Sequence, residues 1–360
     1  MPSRGLRQKR NPRFLCTPKE LTIERWTAVK GGVCLFVHMH WTQLPDTPNA
    51  PGFGGAFAGT HSETLLMGGG SNFPDKALWD GGAKVWHDSV FMLTAGAKTW
   101  KEIGKLPRPL GYGASVSIRQ GLLCLGGADA VRHYNDAFVL SVDNGKLHID
   151  SFPALPRPLA YAAAALVGSK VIIAGGTDRP EATSASATGY VIDLANLNAG
   201  WKELPAFGGA GRMLAQAAGT KDNFFLFGGV ALKPGVKGPE REYLQDGYAF
   251  RLGSKEWRKI ADLPHPVAAA ATPCPVVGPI VALISGDDGS LAGKFEPAKH
   301  PGFSKGILTY DTQFNAWATS GEAPVGRVTL PCAKWNGGFV ILNGELSPGV
   351  RSPQVWHATA

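Results

Sequence analysis

The sequence predicts an all-β fold, a six-bladed propeller whose last blade is closed by a strand from the N-terminal side of the chain. Three observations carry that prediction. A unit of about 50 residues recurs six times, each copy carries glycine at the end of its second strand, and the pieces missing from the last copy stand directly ahead of the first. With Gly 47, Pro 27 and only 18% charged residues, the composition suits a turn-rich β protein.

The first copy reads Leu65-Leu-Met-Gly-Gly-Gly70, then His87-Asp-Ser-Val-Phe-Met-Leu93, Trp100 and Leu106-Pro-Arg-Pro109. The second has Leu122-Leu-Cys-Leu-Gly-Gly127, Asn135-Asp-Ala-Phe-Val-Leu140 and Leu155-Pro-Arg-Pro158. Val171-Ile-Ile-Ala-Gly-Gly176, Gly189-Tyr-Val-Ile192, Trp201 and Leu204-Pro205 make the third. Phe224-Phe-Leu-Phe-Gly-Gly229, Asp246-Gly-Tyr-Ala-Phe250, Trp257 and Leu263-Pro264 make the fourth. The fifth departs from the diglycine, with Val281-Ala-Leu-Ile-Ser-Gly286, Gly306-Ile-Leu-Thr-Tyr310, Trp317 and Ala323-Pro324. In the sixth, Phe339-Val-Ile-Leu-Asn-Gly344 and Pro353-Gln-Val-Trp-His357 are present, but the final Trp and Leu-Pro strand are not.

Trp41-Thr-Gln-Leu-Pro45 supplies those pieces ahead of the first copy, so the N-terminal strand is expected to complete the sixth blade. An open ring would expose a sheet edge and an uncovered blade face, and closure removes both. The diglycine and the later aromatic are the kelch pattern, in which backbones crowd near a central channel. A β-sandwich would show regular hairpin spacing without so long a period.

Charge is unevenly placed. Residues 1–38 hold eight Lys/Arg against Glu20 and Glu24, a net +6 of the chain's +8, so the remainder is nearly neutral and no nucleic-acid partner is expected. That segment is read as a basic extension, disordered or dispensable, with 39–360 forming a single propeller. The apolar stretch Gly31-Gly-Val-Cys-Leu-Phe-Val37 is at the lower limit of length for a secretory signal, follows some thirty residues of polar chain and precedes no convincing small-residue cleavage site, so no signal peptide is read. A cytoplasmic location is therefore favoured, with the periplasm as the alternative. No apolar run approaches the roughly 18 residues of a membrane helix, so no membrane partner is expected. Five cysteines without C-x-x-C spacing read as reduced thiols.

Loops between second and third strands line one mouth of a propeller channel, so ligand groups are sought just after each diglycine. These loops bring Ser71, Asn72, Phe73 and Lys84; Asp129 and Arg132; Asp178 and Arg179; 233–243, which includes Arg241; 287–303; and 345–351. The most specific segment is Asn343-Gly-Glu-Leu-Ser-Pro-Gly-Val-Arg351. Its Glu345 follows the strand-ending glycine and is expected to face the mouth. The Pro-Gly turn should return Arg351 to the same region without forcing the two charges to neutralise each other.

This segment resembles the Asn-Gly-Glu-x-x-Pro-Gly-x-Arg loop of the N-acetylneuraminate epimerases, or sialic acid mutarotases, which are six-bladed kelch propellers. The likeness extends along most of 40–360, including Gly68-Gly-Gly-Ser-Asn-Phe73, the insertion before Asp246-Gly-Tyr248 and the stretch from Lys294 to Tyr310. The Glu/Arg loop stands last here and mid-chain in the ordinary member, so the resemblance is to a cyclically permuted branch. It implies an isomerase that interconverts the α and β anomers of N-acetylneuraminate without metal or organic cofactor. Glu345 would then be the proton acceptor and Arg351 its companion, and a guanidinium suits the sugar's carboxylate. Asn72, Phe73, Arg179, Arg241 and Asn343 are the substrate-binding candidates.

Three other classes are weighed, of which a copper oxidase of galactose-oxidase type would need a Tyr, Cys and His radical site that the sequence does not supply. A non-catalytic kelch propeller would bind a protein or glycan through the same loops. A sialidase would carry Asp-boxes, and Ser285-Gly-Asp-Asp-Gly289 begins one, but Ala292 stands where the closing Trp belongs. That segment reads as a degenerate diglycine. Oligomeric state is not legible.

Overall fold

The computed structural model describes residues 38–359 apart from 49 and 237, together with the strands Arg25–Val29 and Gly32–Leu35. Those two strands pair with each other, and the rest of the basic extension lies outside the described residues.

Six four-stranded antiparallel sheets form the ring. Blade 1 comprises Phe57–His61, Thr64–Gly68, Ser89–Thr94 and Lys101–Lys105. Blades 2, 3 and 4 repeat the meander, with inner strands at Ala114–Ile118, Ala163–Val167 and Gln216–Gly219. Blade 5 begins with the two-residue strand Val276–Val277, because Pro273 and Pro275 before it have no N–H to give a ladder. Blade 6 is Cys332–Trp335, Gly338–Leu342 and Val355–Thr359, completed by His40–Leu44. That outer strand pairs antiparallel with Val355–Thr359, His40 opposite Thr359 and Leu44 opposite Val355, so the expected closure is present.

Alternating apolar residues on both blade faces bury six separate clusters, one in each seam between neighbouring blades. In the seam that closes the ring, Phe53, Leu65 and Met67 of blade 1 meet Val340, Leu342 and Val355 of blade 6. Each such side chain contributes roughly 1.5–3 kcal/mol by leaving water. Tryptophan stitches neighbouring blades: the indole N–H groups of Trp100, Trp201, Trp257 and Trp317 donate to the carbonyls of Pro45, Pro153, Pro205 and Ala261 on the preceding blade.

The diglycines have a specific job. The N–H of the second glycine donates to a carbonyl of the next blade at each seam, from Gly70 to Leu110 round to Gly344, which donates to Phe53. In blades 1 to 4 a Cβ on the first glycine has no room: at Gly69 it would stand 2.2 Å from the Leu110 carbonyl oxygen. Blades 5 and 6 put Ser285 and Asn343 at this position, at φ 66° and 58°. Both use their side chains to stay there: Ser285 Oγ donates to Arg327 O, and Asn343 Oδ1 accepts from Thr47 Oγ1 at 2.8 Å. The sialidase-like segment is thus a degenerate diglycine, as its missing Trp implied.

At the channel wall, each blade contributes one residue with positive φ: Gly55, Tyr112, Tyr161, Leu214, Ala269 and Thr329. Their backbones form a closed belt, each N–H donating to the carbonyl of the residue before it in this order and Gly55 donating to Thr329, at 2.7–3.0 Å. No helix among the described residues is long and apolar enough to cross a membrane.

Candidate active site

Above the belt lies a cavity of ≈ 500 Å³, lined by Lys84, Tyr112, Tyr161, Arg241, Tyr243 and Glu345 among others. Three loops rise round it as two-stranded ribbons: Ser71–Asn72 with Val85–Trp86, Val230–Lys233 with Glu240–Tyr243, and Glu345–Ser347 with Val350–Arg351. Below it the channel narrows to a pocket of about 70 Å³.

The last ribbon creates the central contact. Its turn, at Pro348-Gly349 with Gly349 at φ 84°, sets Glu345 directly opposite Arg351. Cross-strand register therefore brings the charges together. Arg351 Nη1 lies 2.6 Å from Glu345 Oε2, with side chains 3% and 16% exposed. The expectation that the two would sit side by side without neutralising one another is corrected: they form a close ion pair.

Arg351 is held from every side. Nε donates to Ser71 O at 3.1 Å, Nη2 approaches Tyr112 Oη at 3.5 Å, and the guanidinium lies over the Phe73 ring at 5.3 Å. Gly54 makes room for it, because a Cβ there would meet Arg351 Nε at 2.7 Å. Tyr112 Oη is in turn 2.9 Å from Ser71 Oγ. Glu345 keeps one face toward the cavity while Oε2 accepts from Gly349 N at 3.2 Å and Oε1 from Thr329 Oγ1 at 3.4 Å.

Around this pair the electrostatics are those of a half-dry site. Burial, then the Arg351 charge, lowers the Lys84 ammonium to about 8, against a smaller opposing pull from Glu345. The Lys84 ammonium sits 4.3 Å from the Tyr112 ring centre and 4.6 Å from that of Trp86. Burial pushes the Tyr112 and Tyr161 phenols up, so both hold their protons. Across the cavity Tyr243 Oη donates to Asp287 at 2.7 Å, and burial with that bond pushes it up to about 12.

The remaining candidates separate. Arg241 lines the cavity from the blade 4 ribbon. Phe73 is a platform for Arg351. Asn72 is buried under the site, donating to Gly52 O and contacting His87 Nε2 through Oδ1 at 2.8 Å. Asn343 opens the motif but faces the interior: it is fully buried against Thr47 and Met67 in the place of a kelch glycine, so the structure does not bring it to the cavity. Arg179 is 61% exposed, pairs with Asp178 and does not line the cavity. Tyr112 and Tyr161 were missed, although they occupy equivalent positions in Leu-Pro-Arg-Pro-Leu-Gly-Tyr112 and Leu-Pro-Arg-Pro-Leu-Ala-Tyr161. Lys84 was placed in a mouth loop but not in the site.

Residues 27–149 match the family model for N-acetylneuraminate epimerase. The resemblance read from the sequence is borne out over that segment, which brings Lys84 and Tyr112 to the cavity; Glu345 and Arg351 lie beyond it. An N-acetylneuraminate epimerase of Yersinia enterocolitica is 33% identical over 144 residues, 35% of this chain and 36% of the relative. One of Brucella suis is 35% identical over 128 residues, 31% of this chain and 32% of the relative. The chain thus spans about a third of the length of the curated epimerases it matches. A solved structure of YjhT superposes with TM-score 0.64 over 88% of this chain and 97% of its own, at 17% identity, a likeness of fold.

Proposed function

We propose that this propeller is a sialic acid mutarotase, an isomerase that interconverts the α and β anomers of N-acetylneuraminate. The observation that carries the reading is the Glu345–Arg351 pair at the cavity wall: a carboxylate partly open to the cavity, with a buried guanidinium fixing its direction. The epimerase-family match of residues 27–149 supports the choice of substrate.

Mutarotation needs one proton taken from the anomeric hydroxyl and one given to the ring oxygen; the open keto form then recloses on the other face. A positioned carboxylate performs such general acid–base work in both directions. Glu345 takes the hydroxyl proton, Arg351 holds it in place, and Tyr112 and Tyr161 keep their protons and present hydroxyls as neutral hydrogen-bond partners. The phase of ring opening needs no second carboxylate if water delivers the proton to the ring oxygen.

A cytoplasmic setting belongs to the same proposal, supported by Cys124, Cys274 and Cys332, which are buried free thiols. Proton NMR of freshly released α-N-acetylneuraminate tests the reaction. Wild-type protein should speed the approach to anomeric equilibrium and Glu345→Gln should slow it by about 10²-fold or more. An inert wild type sinks the mutarotase reading, and a fully active Gln variant sinks the role of Glu345.

A further inference from the structure

We propose that Lys84, and not Arg351, receives the carboxylate of the sugar acid, and so selects acids over neutral ketoses. The inference rests on the mutarotase reading and deepens it.

The argument begins with the substrate class. In a hemiketal of an α-keto acid, the carboxylate and the reacting hydroxyl are borne by the same carbon. A cation that holds the carboxylate must therefore stand beside Glu345, on its side of the cavity. Arg351 is near enough but is buried: Nε and Nη2 face Ser71 O and Tyr112 Oη, Nη1 is ion-paired with Glu345 without a hydrogen bond of its own, Phe73 covers its plane, and its side chain is 3% exposed. A bidentate carboxylate would have to displace Glu345 from the guanidinium. Arg241 is exposed on the blade 4 ribbon beside Tyr243 and serves the far end of a long sugar better than its anomeric end.

Lys84 meets the requirement. The Ser71–Asn72 and Val85–Trp86 ribbon sets it on the wall beside Tyr112, whose hydroxyl touches Ser71 and Arg351. Its ammonium rests on the Tyr112 and Trp86 rings and has no hydrogen-bond acceptor among the described residues. An ammonium carries three donors, and aromatic faces satisfy none of them as an oxygen would. The charges that face it are Arg351 and Glu345, and the titratable group packed on it is Tyr112. Burial and Arg351 depress Lys84, so an incoming carboxylate meets a cation whose charge is not yet matched.

The test compares N-acetylneuraminate with its methyl ester, which keeps the shape and loses the charge. Affinities are read by NMR titration, and anomerisation of both sugars is followed alongside. Wild type should bind the acid about tenfold or more tightly than the ester, the range of one charge-assisted hydrogen bond. Lys84→Met should lose that preference through KM rather than kcat, and Lys84→Arg should keep it. In unmodified protein the preference should also fade as pH rises past about 8, a measurement that needs no variant to fold. If wild type turns over the acid but Lys84→Met keeps the preference, or if wild type keeps it undiminished well above that pH, the Lys84 assignment is overturned and the mutarotase reading stands. Wild type that neither binds nor turns over the acid overturns both.

Discussion

Replacing Asn343 by glycine and by alanine separates two effects that act on one residue. Asn343 sits at φ 58°, where blades 1 to 4 have glycine, and its Oδ1 accepts a buried hydrogen bond from Thr47 Oγ1 at 2.8 Å. Both substitutions delete that bond, at about 1 kcal/mol each, with Thr47 left a second acceptor in Pro353 O at 3.2 Å. Alanine then also bears the left-handed backbone without a side chain that helps it, adding about 1–2 kcal/mol. Glycine has no such strain and gives back only about 0.5–1 kcal/mol through its freer unfolded chain. The expected losses are about 2–3 kcal/mol for Asn343→Ala and about 1 kcal/mol less for Asn343→Gly. Urea unfolding midpoints at unchanged slope measure the difference. Alanine at least as stable as glycine would refute the backbone argument. Because the side chain faces the interior, Asn343→Gly should leave KM for the sugar acid unchanged.

Two further outcomes follow from buried arginines. Arg212 and Arg327 occupy equivalent places, but Arg212 pairs with Asp246 at 2.9 Å, whereas Arg327 reaches only the carbonyls of Asn343 and Gln354 and is lowered to about 10 by burial. Gln354→Asp should rebuild the pair and raise stability by about 1–3 kcal/mol, since the charge is already buried and, among the described residues, Asp46 acts on it only from beyond ion-pair distance; a lower melting temperature would show the geometry is wrong. Gly54→Ala places a Cβ 2.7 Å from Arg351 Nε, so it should cut the anomerisation rate about tenfold while thermal melting moves little.

Repetition made the fold readable. Six copies of one pattern report the same seam six times, and the orphan Trp41 to Pro45 fits a single vacancy, so even the joining of the first blade strand to the last could be written down in advance, though not its register of His40 with Thr359. That Glu345 and Arg351 share one region was readable for a local reason, because a Pro-Gly turn stands between them; that they close into an ion pair was not. Nor was what surrounds them. Arg351 is enclosed by Ser71, Phe73 and Tyr112 from blades 1 and 2, and the contacts with Ser71 and Tyr112 join residues 280 and 239 positions apart, which no local pattern reports. Asn343 misled because membership of a motif was taken for exposure; its place in the repeat, where kelch blades need glycine, was the better guide. Tyr112 and Tyr161 project into the cavity only because the belt holds them at positive φ, a backbone state that two ordinary tyrosines do not announce.

The belt of six peptide groups also bears on how the molecule responds to force. Both ends of the described propeller lie in one blade, with His40 across from Thr359 at the same end of one ladder. Pulling on the termini therefore peels that ladder apart pair by pair, while the belt, which has no free end, carries none of the load until the sixth blade has opened.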